Sequence, residues 1–416
     1  MERKVYILGG ENTTFIGKFH PDFIWKGHPD FGKRQNPSLE EHLMKAVELA
    51  LKAVGVSPEM VEKGFVGNFA GELFVNQGHL GALVTQYEGL KNKPFMRVEG
   101  ACASGGLAMV CGFDAIRAGY DVVLVVGGEV QTTRNARDGA DYLARAAHYA
   151  TQRQIDDFTF PCLFARRAKY CLEKTELTRE DLAKVVVKAY ENANKNPKAH
   201  MHSVKVNFED ALEESDTNPT FLSNPEYKPY LKVKDCSQVS DGASALIMAS
   251  EEGLKKLGKT KEDCIELIGL GHVAAPLKEE VNPISLDTTQ KAASIAYDMA
   301  KITPQEVSVA EVHDCFSITE ILMYEALGFA EPQKGYTLIR EGATQISGKI
   351  PVNTGGGLIA FGHPVGATGV KQIVEIFKQL KGKAGAYQIP GSPKIGLAAN
   401  MGGDDRTAVV SLFRNP

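Results

Sequence analysis

The chain has 416 residues, 43% of them hydrophobic and 24% charged, with 41 glycines, a composition of globular α/β enzymes that excludes disordered and fibrous chains. Its 47 basic and 51 acidic residues leave a formal charge of -4, too balanced to draw the whole molecule to nucleic acid or to an anionic membrane. One hydrophobic core stops growing below this length, so two packed units, or one duplicated unit with a large insertion, are expected.

The strand and helix signals run through the chain as two similar series, the pattern of a mostly parallel sheet covered by helices. Residues 4–9 read as a strand, Leu39–Val54 as an amphipathic helix and residues 64–69 as a second strand, followed by a short helix. A strand over 95–100 runs straight into Ala101-Cys102-Ala103-Ser104-Gly105-Gly106 and a helix to about Arg117; residues 121–127 form an unbroken apolar strand, and 244–249 complete this sheet. The second series begins with a strand over 265–270 and a helix over 288–300. A strand over 307–312 then enters His313-Asp314-Cys315-Phe316 and a helix over 318–327. A short strand over 350–353, a helix over 365–380 and strands over 394–399 and 407–413 close it. Residues 1–128 with 240–255 are thus expected as one half and 256–416 as the other. Between them 129–239, richer in Asn, Lys and Pro and carrying Arg134, Arg137, Arg166, Arg167 and Lys169, is expected as an inserted lid or loop domain.

Ligands of open α/β sheets gather beyond the carboxyl ends of strands, which selects the loops at 100–106, 313–317, 353–369 and 400–403. Cys102 lies where a strand turns into a helix, a place where the helix dipole and free N–H groups favour thiolate, and its small neighbours leave room for a bulky group. By itself it reads equally as a nucleophile or as a packing thiol. His363 lies in Gly362-His363-Pro364-Val365-Gly366-Ala367-Thr368-Gly369, where glycines permit close backbone approach to a ligand; it could pair with a thiolate, donate to an oxyanion, or simply complete a turn. His313 and Cys315 end a buried strand, a suspicious place for titratable groups. Cys111, Cys162, Cys171, Cys236 and Cys264 read as packing residues, and His200 and His202 as solvated.

Seven cysteines, with no Cys-x-x-Cys pair and no close Cys/His cluster of zinc-finger spacing, suggest neither a disulfide framework nor a metal site. The N-terminal residues lack an apolar signal core, no apolar run reaches membrane-spanning length, and the last residues are not a peroxisomal address, so a cytoplasmic protein with reduced thiols is expected.

Three separated motifs together resemble the thiolase superfamily, and within it the sterol-carrier-protein type with its archaeal and bacterial relatives. Val98-Glu99-Gly100-Ala101-Cys102-Ala103-Ser104-Gly105-Gly106 is similar to the nucleophile loop, His313-Asp314-Cys315-Phe316-Ser317 to the loop that marks this subgroup, and residues 362–369 to the histidine loop. The resemblance runs from near Val5 to near Leu412. It implies the thiolase fold, two βαβαβαββ halves in a five-layered αβαβα core with a loop-domain insertion. It also implies an acyltransferase that cleaves 3-oxoacyl-CoA with coenzyme A, or condenses two acyl-CoAs, through an acyl-cysteine. Cys102 would be acylated, His363 would take its proton and help hold the thioester oxygen, and Cys315 would be the acid and base at the α-carbon. His313 would replace the asparagine that holds an oxyanion-hole water. The N–H groups of Cys102 and of a glycine near Gly402 would form a second oxyanion hole, and Ser237 and Gly362 would lie along the substrate and CoA path.

No tightly bound cofactor is implied; coenzyme A is a substrate. A homodimer or dimer of dimers is expected, and residues 160–167 resemble members that work with a small zinc-ribbon/OB-fold partner. Asn400-Met401-Gly402 stands where other thiolases carry a catalytic Cys-x-Gly, and the resemblance implies that Cys315 replaces that cysteine; Asp404, Asp405 and Thr354-Gly355 depart from the usual residues and bear on the substrate pocket. A ketosynthase would need a His/His or His/Asn pair, an aldolase subunit would work without an acyl-enzyme, and a non-catalytic acyl-CoA or lipid-binding subunit would not need all four residues.

Overall fold

A computed structural model describes residues 3–416. Its strands and longer helices are β1 (Tyr6–Asn12), α1 (Leu39–Val54), β2 (Lys63–Gly67), β3 (Phe95–Val98), α2 (Ser104–Arg117), β4 (Val122–Glu129), α3 (Thr159–Lys174), α4 (Arg179–Ala193) and β5 (Gly242–Ala249). The second half adds β6 (Ile265–Ala274), α5 (Asp287–Ala300), β7 (Val309–Glu311), α6 (Ser317–Ala326), α7 (Thr368–Leu380), β8 (Ile395–Gly402) and β9 (Thr407–Arg414). Local signals set several of these ends. Ser38 and Glu41 form a reciprocal capping box at the start of α1, and Gly55, at φ 69°, takes the left-handed conformation that stops it.

The strands form one sheet in the order β3-β2-β4-β5-β1-β6-β9-β8-β7. The order mirrors itself about the antiparallel pairing of β1 with β6, where Tyr6 faces Glu266 and Ile7 faces Ile265. Within each half the next strands pair in parallel, β2 with β3 and β4, and β7 with β8. β4 and β5 are buried along their whole length, as their unbroken apolar runs require. Helix α1 covers one half and α5 the other, while α2 and α7 pack against each other between the halves, giving the αβαβα layering of the thiolase fold. Each central helix follows a loop of interest: α2 the Cys102 loop, α7 the His363 loop.

Three features differ from the sequence reading. The sheet is mixed rather than mostly parallel: β1 with β5 and β6, β4 with β5, and β9 with β6 and β8 all pair antiparallel, because the last strand of each half returns beside the first, a pairing that needs no crossover helix. Residues 350–353 form no ladder; a single bridge joins Val352 to Ala310. Pro351 has no N–H to donate, and Asn353 leaves the extended region at φ 55°. The stretch 129–239 contains the full-length helices α3 and α4, and Leu182, Val186 and Tyr190 share one apolar cluster with Ile318, Ile321 and Leu322 of α6. Charges are also buried at this contact: Lys188 of α4 and Glu320 of α6 are wholly enclosed and paired, and Glu320 accepts from Asn353 Nδ2 at 3.2 Å. Asn353 in turn accepts from Val312 N at 2.8 Å, so a closed polar network holds the strand end that leads into His313.

Candidate active site

Cys102 sits in a short 3-10 turn, Ala101–Ala103, just ahead of α2. Ala101 is held at φ 52°, a left-handed conformation that costs a non-glycine residue about 1 kcal/mol and fixes the turn that presents the cysteine. The glycines around it are required by close packing. A Cβ on Gly105 would lie 2.8 Å from Gly366 O, and one on Gly402 would lie 2.3 Å from Gly100 O. The cysteine loop, the histidine loop and the end of β8 therefore touch backbone to backbone.

The sulfur of Cys102 and one ring nitrogen each of His313 and His363 lie within 4.8 Å of one another. The two imidazoles meet edge to face, with centroids 5.1 Å apart. Cys315 is buried; its Sγ is 3.7 Å from Thr319 Oγ1, and its carbonyl accepts from Ser237 N at 2.9 Å. Ser237 is thus tied by its backbone to the Cys315 loop, and Gly362, at φ 109°, packs where a Cβ would lie 2.4 Å from Ser240 Oγ. All four residues expected to act chemically are gathered from three loops.

The electrostatics correct one expectation. Burial pushes the Cys102 thiol up to about 12, against the lowering effect of the Gly403 N–H that donates toward it; Glu129 and Glu99 add to the rise. Helix position alone does not make a resting thiolate here, because an enclosed sulfur loses more hydration than one N–H returns. Burial likewise lowers His363 to about 3 and holds His313 well below its ordinary value, the latter helped by His363. Cys315 is raised well above the ordinary thiol range by burial and by the neighbouring Cys102. The site at rest is therefore neutral: two thiols and two uncharged imidazoles.

Such a thiol needs a base at the moment of attack. Thr368 Oγ1 donates to Pro364 O at 3.1 Å, so its 2.6 Å contact with His363 Nδ1 is an N–H donated by the ring. That places the lone pair of His363 on Nε2, the form able to accept a thiol proton. The thiolate fraction of an isolated thiol falls about tenfold for each pH unit below its pKa. Alkylation of Cys102 by iodoacetamide is accordingly expected to rise by about tenfold per unit from pH 6 to pH 9 without a plateau. A plateau beginning near neutrality, followed by mass spectrometry of the labelled peptide, would instead show a preformed thiolate–imidazolium pair.

Several supporting residues were not singled out from the sequence. Glu129, buried at the end of β4, accepts from Asn68 Nδ2, Phe69 N, Ala70 N and Gly366 N, which joins the first half to the histidine loop. Its carboxyl is raised to about 7 by burial. Asp314 accepts from Leu358 N at 2.6 Å and so ties the Cys315 loop to the glycine-rich turn ahead of His363. The only sequence hint for either was an acid at the end of an apolar strand.

His200, expected to be solvated, is 1% exposed; its Nδ1 lies 2.8 Å from Ser240 Oγ, and its N–H donates to Phe361 O. Its neighbours Ala199 and Met201 are buried with it, and its Nε2 lies 2.8 Å from Lys18 O; His202 is half-buried. Cys236 packs against the core as expected, though outside any helix or strand: it forms an isolated bridge with Phe316 and borders Cys315. Asp404 and Asp405 do not line an open pocket. Asp404 accepts from Arg167 Nε at 2.6 Å and Arg166 Nη2 at 3.2 Å, and Asp405 caps α5 through Thr288 N and Thr289 N. Arg166 and Arg167 thus fasten the insertion to the loop that follows Gly402.

Cys102, His313 and His363 are also the group that could hold a metal ion among the described residues. A sulfur bound to a metal would not be free to be acylated. The His313–His363 pair satisfies the His/His requirement of a ketosynthase, so the histidines do not separate the two activities; the second thiol, Cys315, does.

A cysteine, a base poised with a free lone pair and backbone N–H groups at a strand-to-helix turn define a cysteine-dependent acyl-transfer enzyme. Residues 30–252 match the model of the thiolase N-terminal domain, and residues 272–415 that of the thiolase C-terminal domain-like family. The chain belongs to the thiolase family. It is 37% identical over 383 residues to an acetyl-CoA acetyltransferase of Methanothermobacter thermautotrophicus, covering 92% of this chain and 96% of that one. To the benzoylsuccinyl-CoA thiolase subunit BbsB of Thauera aromatica it is 30% identical, covering 98% and 96%. Among solved structures, the Ltp2-ChsH2(DUF35) aldolase superposes with a TM-score of 0.77 at 20% identity, covering 98% of this chain and 97% of that one. Human mitochondrial 3-ketoacyl-CoA thiolase superposes with a TM-score of 0.71 at 18% identity, covering 99% of each chain. The protein is a thiolase, an acyltransferase that takes coenzyme A and acyl-CoA as substrates and passes the acyl group through a cysteine.

Proposed function

We propose that Cys102 is the acylated residue, that His363 takes its proton, and that Cys315 is the acid and base that adds or removes the α-proton. The observation that carries this reading is the meeting of a part-buried Cys102 with two buried imidazoles within 4.8 Å, in a neutral setting beside the buried second thiol. His313 holds the developing oxyanion or its water, and the N–H groups of Cys102 and Gly403 hold the thioester oxygen of the acyl-enzyme. Gly403, one residue past Gly402, is the glycine whose N–H reaches the sulfur. Ser237 and Gly362 lie along the CoA path. The domain division into 1–128 with 240–255, 129–239 and 256–416 accommodates this assignment, with the catalytic loops contributed by both halves.

The finer assignments follow the same reading. Residues 160–167 lie within α3, and the DUF35 component named with the Ltp2-ChsH2 aldolase supports a second subunit as partner, which the resemblance gives as a small zinc-ribbon/OB-fold protein. The open edge of β3, with Met96 half exposed, supports pairing of two copies. No helix among the described residues is long and apolar enough to cross a membrane, and a cytoplasmic location suits thiol chemistry. The test is CoA-dependent cleavage of short, long-chain and aryl 3-oxoacyl-CoA substrates, with and without a co-purified partner. Turnover of at least one class is expected; no cleavage of any, with the partner present, would overturn the proposal.

A further inference from the structure

Asn400 stands where other thiolases were expected to carry a catalytic cysteine, and it has its own function in the site. Its Oδ1 accepts from Gly106 N at 3.0 Å, and its Nδ2 donates to Cys102 O at 3.0 Å. A backbone N–H can only donate and a carbonyl can only accept, so these two contacts fix which end of the amide is which. The pocket around it is tight: a Cβ on Gly106 would lie 2.8 Å from Asn400 Oδ1, and one on Gly369 would lie 2.3 Å from it. The second Nδ2 hydrogen is then free for His313, whose Nδ1 lies 3.2 Å from Asn400 Nδ2.

We propose that Asn400 is a positioning residue that holds His313 in the tautomer with its proton on Nε2, making His313 a hydrogen-bond donor rather than a base. Because an NH2 group cannot accept, Nδ1 of His313 must offer its lone pair, and the ring proton is left to Nε2. This is the opposite tautomer from His363, whose Nδ1 carries the proton. Two neighbouring histidines are thereby set to different tasks by their second partners, one to accept a proton from the thiol and one to donate to a developing oxyanion. A cysteine at position 400 has no NH2 group and could not set the tautomer, so moving the acid and base to Cys315 and placing Asn at 400 form one exchange. The assignment of tasks rests on the function proposed above; the tautomer does not.

The test is two-bond 1H–15N correlation spectroscopy of the full-length protein labelled with 15N-histidine, at neutral pH, with the His313 signals assigned by their loss in His313→Asn. Wild-type protein should show His313 protonated at Nε2. In Asn400→Asp the carboxylate can only accept, so the proton should move to Nδ1, and thiolysis kcat should fall by about 10²–10³-fold with KM little changed, the loss of one oxyanion donor. Wild-type His313 protonated at Nδ1 would overturn the proposal whatever becomes of the variant, as would an Nε2 proton retained in folded Asn400→Asp. An Nε2 proton in wild-type protein that cleaves no 3-oxoacyl-CoA would support the tautomer assignment and defeat the functional reading.

Discussion

Replacing Cys102 by serine should abolish acyl-enzyme formation. Incubated with acyl-CoA, the wild-type protein gains one acyl group on the peptide containing Cys102, seen by mass spectrometry, and Cys102→Ser gains none. Serine keeps the shape but not the nucleophile: a hydroxyl ionises several units above a thiol, and the buried, neutral His363 has little driving force to take its proton. Because nucleophile and base act as a unit, the expected fall in kcat is on the order of 10⁶, with substrate binding largely kept. Acyl labelling that persists in Cys102→Ser would remove Cys102 from the mechanism.

Cys315→Ala should separate the two half-reactions. Acylation of Cys102 needs His363 and the backbone N–H groups, which the substitution leaves in place, so the acyl adduct still forms. Exchange of the α-protons of acetyl-CoA in D2O, followed by mass spectrometry, should fall by about 10²–10⁴-fold, the usual contribution of a positioned acid and base. The Cys315 thiol is held well above its ordinary value by burial and by Cys102, so it rests protonated and suits the role of acid toward a leaving enolate. In the synthetic direction it must first lose that proton. Normal exchange in Cys315→Ala would assign the proton transfer elsewhere, and loss of acylation as well would mean that the two loops do not act independently.

The duplicated strand-helix order was legible because its signals are local. Apolar runs at β4 and β8 and the apolar face of α1 are set by residues a few positions apart, and Ser38 and Gly55 mark the ends of α1 in the sequence itself. The three motifs could be placed at strand ends for the same reason. The strand over 350–353 was misread because apolar character outweighed Pro351 and the left-handed Asn353. His200 was misread because burial is decided by segments far away in the chain: the 360–363 loop covers it.

The sequence by itself determined which side chains stand at strand ends, that the halves repeat, and that a cysteine, two histidines and a second thiol are available on three loops. Only the tertiary structure shows how they are enclosed and which groups they hydrogen-bond, the two things on which their protonation depends. Burial is a property of the assembled loops, and it keeps Cys102 a thiol where a helix terminus alone suggested a thiolate. The tautomers depend on hydrogen bonds to partners that range from five residues away, Thr368, to 87 residues away, Asn400, and spacing along a chain does not specify the longer of these.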